Sequence, residues 1–258
     1  MWSKMIEINI IEAFSDNYIY LIRNESKNLT CVVDPGESAP VIKFLKTRNW
    51  HLDEIINTHH HHDHIGGNAE LLNIYKSKLI APIYDKNRIS DIDVYVSDND
   101  LINIAGTKTK VIHTPGHTLG HVCFYIADEK CLFSGDTMFY LGCGRVFEGT
   151  MDQMWSSLLK LRTLPDDTLV YCGHEYTSSN AKFANHIDPN NQLLKVASIE
   201  IKNKREKQLP TIPFELGKEK NINPFLRADD QKLINSVGLK TSDPNESFRT
   251  MRLQKDDF

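Results

Sequence analysis

Thr58-His59-His60-His61-His62-Asp63-His64-Ile65-Gly66-Gly67-Asn68 decides how the rest of this chain is read. Five of the eleven histidines lie between positions 59 and 64, with an aspartate among them. Packing has no use for such a run, because each imidazole carries a donor and an acceptor that need partners when buried. Neutral imidazole and carboxylate are, however, ligands for zinc and related ions. Leu52 to Ile56, just before the run, reads as a strand. A ligand loop at a strand end is held by a rigid scaffold yet stays open to solvent. If the loop is extended, successive side chains point to opposite sides. His59, His61 and Asp63 then share one side, and His60 and His62 become bystanders.

The same order of apolar strand, then Gly or Thr, then His or Asp returns three more times. It ends in Gly116-His117, in Gly135-Asp136 and in Gly173-His174. Each pair is weak alone, and Asp136 by itself reads as a turn former. Their weight comes from standing beside the histidine run, because strand ends on one sheet edge converge in space. His59, His61, His64, His117 and His174 with Asp63 and Asp136 make seven donors. One tetrahedral zinc takes about four ligands, so the set fits two ions with one carboxylate bridging. His51, His113, His121 and His186 read as ordinary core or surface histidines.

The chain's 258 residues allow one large domain or a domain with an appendage. A net charge of −4 gives no reason to expect a nucleic-acid partner, so any bound anion needs local basic residues. The five cysteines are odd in number and lack CxxC spacing, which argues against a disulfide framework and for a reducing compartment. Met1-Trp2-Ser3-Lys4 runs into the alternating Ile6-Glu7-Ile8-Asn9-Ile10, without a signal peptide's apolar core, and no apolar run has the length of a membrane span. The expectation is a soluble cytoplasmic protein. Val41, Ile42, Leu45 and Trp50 are spaced to line one helix face, and Thr150-Met151-Asp152-Gln153 has the form of a capping box. Strands dominate up to about residue 176. Helices are then predicted over Ser178 to Ile187, Pro189 to Lys207, Asp229 to Val237 and Pro244 to Lys255. Asp188-Pro189 and Asp243-Pro244 each read as an N-cap followed by proline. Domains of 1–176 and 177–258 follow.

Thr58-His59-x-His61-x-Asp63-His64 resembles the THxHxDH signature of the metallo-β-lactamase superfamily, and Thr114-Pro115-Gly116-His117, Ser134-Gly135-Asp136-Thr137 and Gly173-His174-Glu175-Tyr176 match in order. Within it the chain looks most like the glyoxalase II branch. The branch features are Gly142-Cys143-Gly144-Arg145-Val146-Phe147-Glu148-Gly149, Asn223-Pro224-Phe225-Leu226-Arg227 and Arg252-x-x-Lys255-Asp256-x-Phe258. The resemblance implies an α/β fold: a four-layer αββα sandwich followed by a small all-α C-terminal domain. It implies His59, His61 and His117 on one ion, Asp63, His64 and His174 on the other, and Asp136 bridging. The loop must therefore curl, since Asp63 serves a different ion from His59. Glutathione contacts map onto Arg145, Tyr176, Arg252 and Lys255. Taken without the resemblance, Arg252 and Lys255 read as solvated surface charge. Eukaryotic members carry Tyr where Phe147 stands, so Phe147 is assigned no polar contact.

The implied reaction is hydrolysis of S-D-lactoylglutathione, or another 2-hydroxyacylglutathione, to glutathione and D-lactate or the matching acid, which detoxifies methylglyoxal. Two divalent ions, zinc first with iron or manganese as alternatives, would bring water toward a pKa of about 7. The leaving thiol has a pKa of about 8.5 and needs no strong general acid. Asp63 and Asp136 are the expected catalytic carboxylates, and a monomer is expected. Rivals on the same scaffold are a β-lactamase, a nuclease, a lactonase and an iron-dependent persulfide dioxygenase. A rival without catalysis is a metal store or sensor.

Overall fold

A computed structural model describes residues 6–258, so the leader reading at Met1 to Lys4 lies outside the described residues. The chain divides into two compact units. One runs to His113 and takes in Gly120–Gly135; the other comprises Thr114–Leu119 and Asp136–Phe258.

The first unit begins with a six-stranded sheet in chain order. It contains β1 (Glu7–Ala13), β2 (Asn17–Asn24), β3 (Leu29–Val33), β4 (Glu54–Ile56), β5 (Lys78–Pro82) and β6 (Val94–Val96). The first three strands are antiparallel, and β3 to β6 are parallel. Parallel neighbours need crossovers. These are α1 (Ser38–Arg48) between β3 and β4, and α2 (His62–Ile65) with α3 (Asn68–Tyr75) between β4 and β5. Val41 and Leu45 of α1 and Leu71 of α3 pack on Ile19, Leu21, Val32, Ile55 and Leu79 of the sheet. Trp50 joins this core from beyond the end of α1. Each side chain so buried contributes about 1.5–3 kcal/mol.

Every residue of β2 is buried, as expected of a strand covered on both faces. Its second face meets an antiparallel sheet of β7 (Leu101–Ile104), β8 (Thr107–His113), β9 (Val122–Ile126) and β10 (Cys131–Gly135). Tyr20 of β2 and Phe133 of β10 touch with ring centroids 5.6 Å apart. Helices, sheet and sheet are thus successive layers of this unit.

The second unit holds the hairpin β11 (Met138–Phe139) and β12 (Gly142–Cys143), then α4 (Met151–Arg162) and β13 (Leu169–Cys172). The predicted capping box opens α4: Thr150 Oγ1 accepts from Gln153 N–H at 3.1 Å, and Gln153 Oε1 accepts from Thr150 N–H at 2.8 Å. The helical region contains α5 (Thr177–Ile187), α6 (Gln192–Glu206), β14 (Phe214–Glu215, paired with β13), α7 (Leu216–Ile222), α8 (Gln231–Ser236) and α9 (Pro244–Asp257). Asp243 caps α9, as its sequence suggests. Asp188-Pro189 does not open α6. Asn191 is the cap there, and the Asp188 carboxylate instead accepts from Arg227 at 2.6 Å and from Asn191 Nδ2 at 3.0 Å.

Candidate functional site

In the first unit the parallel register Val33↔Ile56 brings two strand ends side by side. Asp34 follows the first and Thr58-His59 the second. Asp34 N–H donates to the Ile56 carbonyl. The Asp34 carboxylate accepts from Thr58 N–H and Thr58 Oγ1–H, both at 2.7 Å, and lies 3.0 Å from His64 Nδ1. A carboxylate can only accept when ionised, so His64 carries its proton on Nδ1 and turns the Nε2 lone pair toward a ligand. Asp34, His59 and His64 are all buried and offer donor atoms within 4.8 Å of one another. Asp34 reads in the sequence only as a turn former. Its tie to the histidine loop crosses 24 residues and leaves no local trace.

The loop is extended only as far as His61 (φ −61°, ψ 142°), after which α2 makes one helical turn. Strict alternation therefore fails at Asp63, which turns with His64; His64 Nε2 lies 3.6 Å from Asp63 Oδ2. His59 Nε2 lies 3.1 Å from His61 Nδ1. Asn17 Nδ2 donates to both Asp63 Oδ2, at 3.0 Å, and the Asp63 carbonyl, at 3.2 Å. Gly36 has to be glycine, because a Cβ there would land on the Asp63 carbonyl oxygen. The bystanders find other work. His60 sits 3.2 Å from the buried Asp85 carboxylate, His62 is exposed, and His121 is fully buried and stacks on His59 at 4.9 Å.

In the second unit one oxygen, Asp136 Oδ2, lies 3.4 Å from His117 Nε2 and 3.3 Å from His174 Nε2. His117 Nδ1 donates to the Arg145 carbonyl at 2.8 Å, which fixes its tautomer and leaves Nε2 as the acceptor. The His174 ring stacks on Tyr176, parallel to it at 4.7 Å, and Phe139 meets it edge-on at 6.1 Å. Arg145 is exposed, with Nε 3.4 Å from Asp256 Oδ1 and its guanidinium over the Phe147 ring. Lys255 donates to Ser179 Oγ, and burial, with Arg252 nearby, holds its pKa below the ordinary lysine range. Arg252 is not surface charge. It is 4% exposed and donates to the Cys143 carbonyl at 2.9 Å and to Asp256 Oδ1 at 3.0 Å.

These spacings suit a divalent ion of the zinc kind. Two ligand atoms about 2.0–2.1 Å from a tetrahedral ion lie about 3.3 Å apart. The imidazole and carboxylate pairs within the units span 3.1–3.6 Å.

Residues 14–174 match the metallo-beta-lactamase superfamily, and residues 175–258 match the hydroxyacylglutathione hydrolase C-terminus. The first match defines the class: a metallo-β-lactamase-fold protein, α/β with a helical C-terminal region. The solved structure of ETHE1 from Myxococcus xanthus shares that fold at 24% identity, with a TM-score of 0.68 over 96% of this chain and 90% of that one. Two relatives are much nearer. Hydroxyacylglutathione hydrolase of Pelagibacter ubique is 47% identical over 98% of this chain and 100% of its own length. That of Rhodopseudomonas palustris is 46% identical over 96% and 98%. The chain belongs to the hydroxyacylglutathione hydrolases, which makes it an enzyme, a thioester hydrolase. No helix among the described residues is long and apolar enough to cross a membrane.

Proposed function

We propose that the chain hydrolyses S-D-lactoylglutathione and related 2-hydroxyacylglutathiones to glutathione and the free 2-hydroxy acid. The observation that carries this is Asp136 Oδ2, approached by two imidazole Nε2 atoms at 3.3 and 3.4 Å. A carboxylate shared between two ions needs such a placement. In this reading, which follows the family resemblance, His59, His61 and His117 would hold one ion, and Asp63, His64 and His174 the other. Zinc is first in line, because imidazole with carboxylate suits it, and iron or manganese fit the same donors.

Such ions, when bound, make water nucleophilic at neutral pH and polarise the thioester carbonyl. The protein's own groups do the rest. Asp34, the Arg145 carbonyl and Thr58 Oγ1 (3.0 Å from His59 Nδ1) hold the imidazoles in one orientation. Asp63, steadied by Asn17, orients the attacking water. The glutathione carboxylates attract Arg145, Lys255 and Arg252, and Tyr176 lines the same approach. The thiolate departs without a general acid.

We also assign residues 1–176 to catalysis and 177–258 to glutathione binding. We take the protein to be a monomer, and to be cytoplasmic, a location that the five buried free thiols support. The test is loss of the thioester absorbance of S-D-lactoylglutathione with metal-loaded protein. A rate equal to that of buffer refutes the assignment. Oxygen uptake on glutathione persulfide would point instead to a dioxygenase.

A further inference from the structure

The motif Asn223-Pro224-Phe225-Leu226-Arg227 reaches the segment that follows Asp136, through Asn223. That segment, residues 136–145, begins at Asp136 and ends at Arg145, whose carbonyl orients His117. Between them stands the hairpin β11–β12, which also supplies Phe139 to the His174 and Tyr176 rings. A two-residue ladder is far too short to hold its own shape in water. Its backbone is instead held from outside, by side chains of the helical region.

Asn180 Nδ2 donates to the Tyr140 carbonyl at 3.1 Å. Leu141 N–H donates to Glu219 Oε2 at 2.7 Å. Asn223 Nδ2 reaches the Phe139 carbonyl at 3.3 Å, the Gly142 carbonyl at 3.1 Å and Glu219 Oε2 at 2.9 Å. Arg252 Nη1 holds the Cys143 carbonyl at 2.9 Å, with its guanidinium over the Phe225 ring. Five consecutive residues, 139–143, are thus tied by their main chain to four buried side chains. Tyr140 and Leu141 pack in addition against Ala181, Ala184, Leu194 and Ile222. No slack remains at the far end, because a Cβ on Gly144 would land on the Asp136 carbonyl.

We propose that Asn180, Glu219, Asn223 and Arg252 are positioning residues: by clamping the backbone of 139–143 they set how Asp136 and His117 present themselves to metal. The helical region then does more than receive glutathione, since it completes the geometry of two of the seven candidate ligands. This rests on the reading that Asp136 and His117 bind metal.

Cobalt(II) is the probe, because its visible absorption reports ligand geometry. Full-length wild type, Asn223→Ala, Glu219→Ala, Asn180→Ala and Glu219→Gln are loaded with cobalt and titrated against a chelator. The two alanine variants at 219 and 223 should show shifted bands and bind cobalt about 10-fold more weakly, the lower end of what loss of an outer partner costs. Glu219→Gln keeps an acceptor for Leu141 N–H and should restore wild-type bands. Where the stronger variants do not fold, Asn180→Ala decides, since it removes one hydrogen bond, to the Tyr140 carbonyl, and should shift the bands the same way by less. Folded variants with wild-type bands and affinity overturn the proposal. A wild type that takes up no cobalt instead overturns the metal reading beneath it.

Discussion

Glu219→Gln should flatten the fall in stability that the wild type suffers as pH rises. Glu219 is fully buried on α7. Burial pushes its pKa from 4.5 up to about 8, against the opposing pull of Leu141 N–H and the Asn223 amide. In the unfolded chain the carboxyl titrates at an ordinary value of about 4.3. Between these values the folded protein holds a proton that the unfolded chain has released. Stability therefore falls as pH rises through this window, with no penalty below about pH 4 and the full penalty above about pH 8. At 1.36 kcal/mol per pH unit the span sets a ceiling of about 5 kcal/mol. Local opening to water lowers the observed value to about half of that ceiling.

Glutamine cannot lose this proton and is nearly the same size. The assay is urea unfolding of both proteins from pH 5 to pH 9, each saturated with metal, so that histidine and metal-linked protons cancel in the difference. The wild type should lose about 2–4 kcal/mol relative to the variant across that range, because pH 5 already lies above the unfolded value. Parallel stability curves would refute the reasoning, because they would mean that Glu219 is already ionised in the folded state at pH 5.

Asp34→Asn should weaken metal binding about 10–100-fold, because an amide no longer holds His64 Nδ1–H by charge; metal analysis after chelator dialysis reads this out. Arg145→Ala should raise KM for glutathione thioesters about 10-fold or more with kcat little changed, the pattern of lost uniform binding. Gly36→Ala should lower metal content, since the methyl group displaces the Asp63 main chain; wild-type content would show that the loop has slack. Thr150→Ala breaks the capping box and should cost about 1 kcal/mol, a Tm drop of roughly 2–4 °C by calorimetry, with activity unchanged at 25 °C.

Residue type and local spacing were enough for much of this protein. Only a few side-chain types ligate metal, so His59, His61, Asp63, His64, His117, Asp136 and His174 stand out in the sequence as candidate ligands, the last three only because they stand together with the histidine run. The α4 capping box is equally local, because its two hydrogen bonds join residues three apart. Which further residues steady the site was not legible. Asp34 looks like a turn former until the parallel pairing of β3 and β4 sets it beside Thr58. Asp188-Pro189 has the letters of a cap, but Arg227, 39 residues away, claims its carboxylate. Arg252 reads as a surface cation, yet it is buried against a carbonyl 109 residues earlier, and Glu219 serves a backbone N–H 78 residues before it. The physical reason is the same each time. A ligand's chemistry belongs to the residue and is written in the sequence. A hydrogen-bond partner belongs to whatever the fold brings within 3 Å, and no local pattern encodes a contact that closes a loop of a hundred residues.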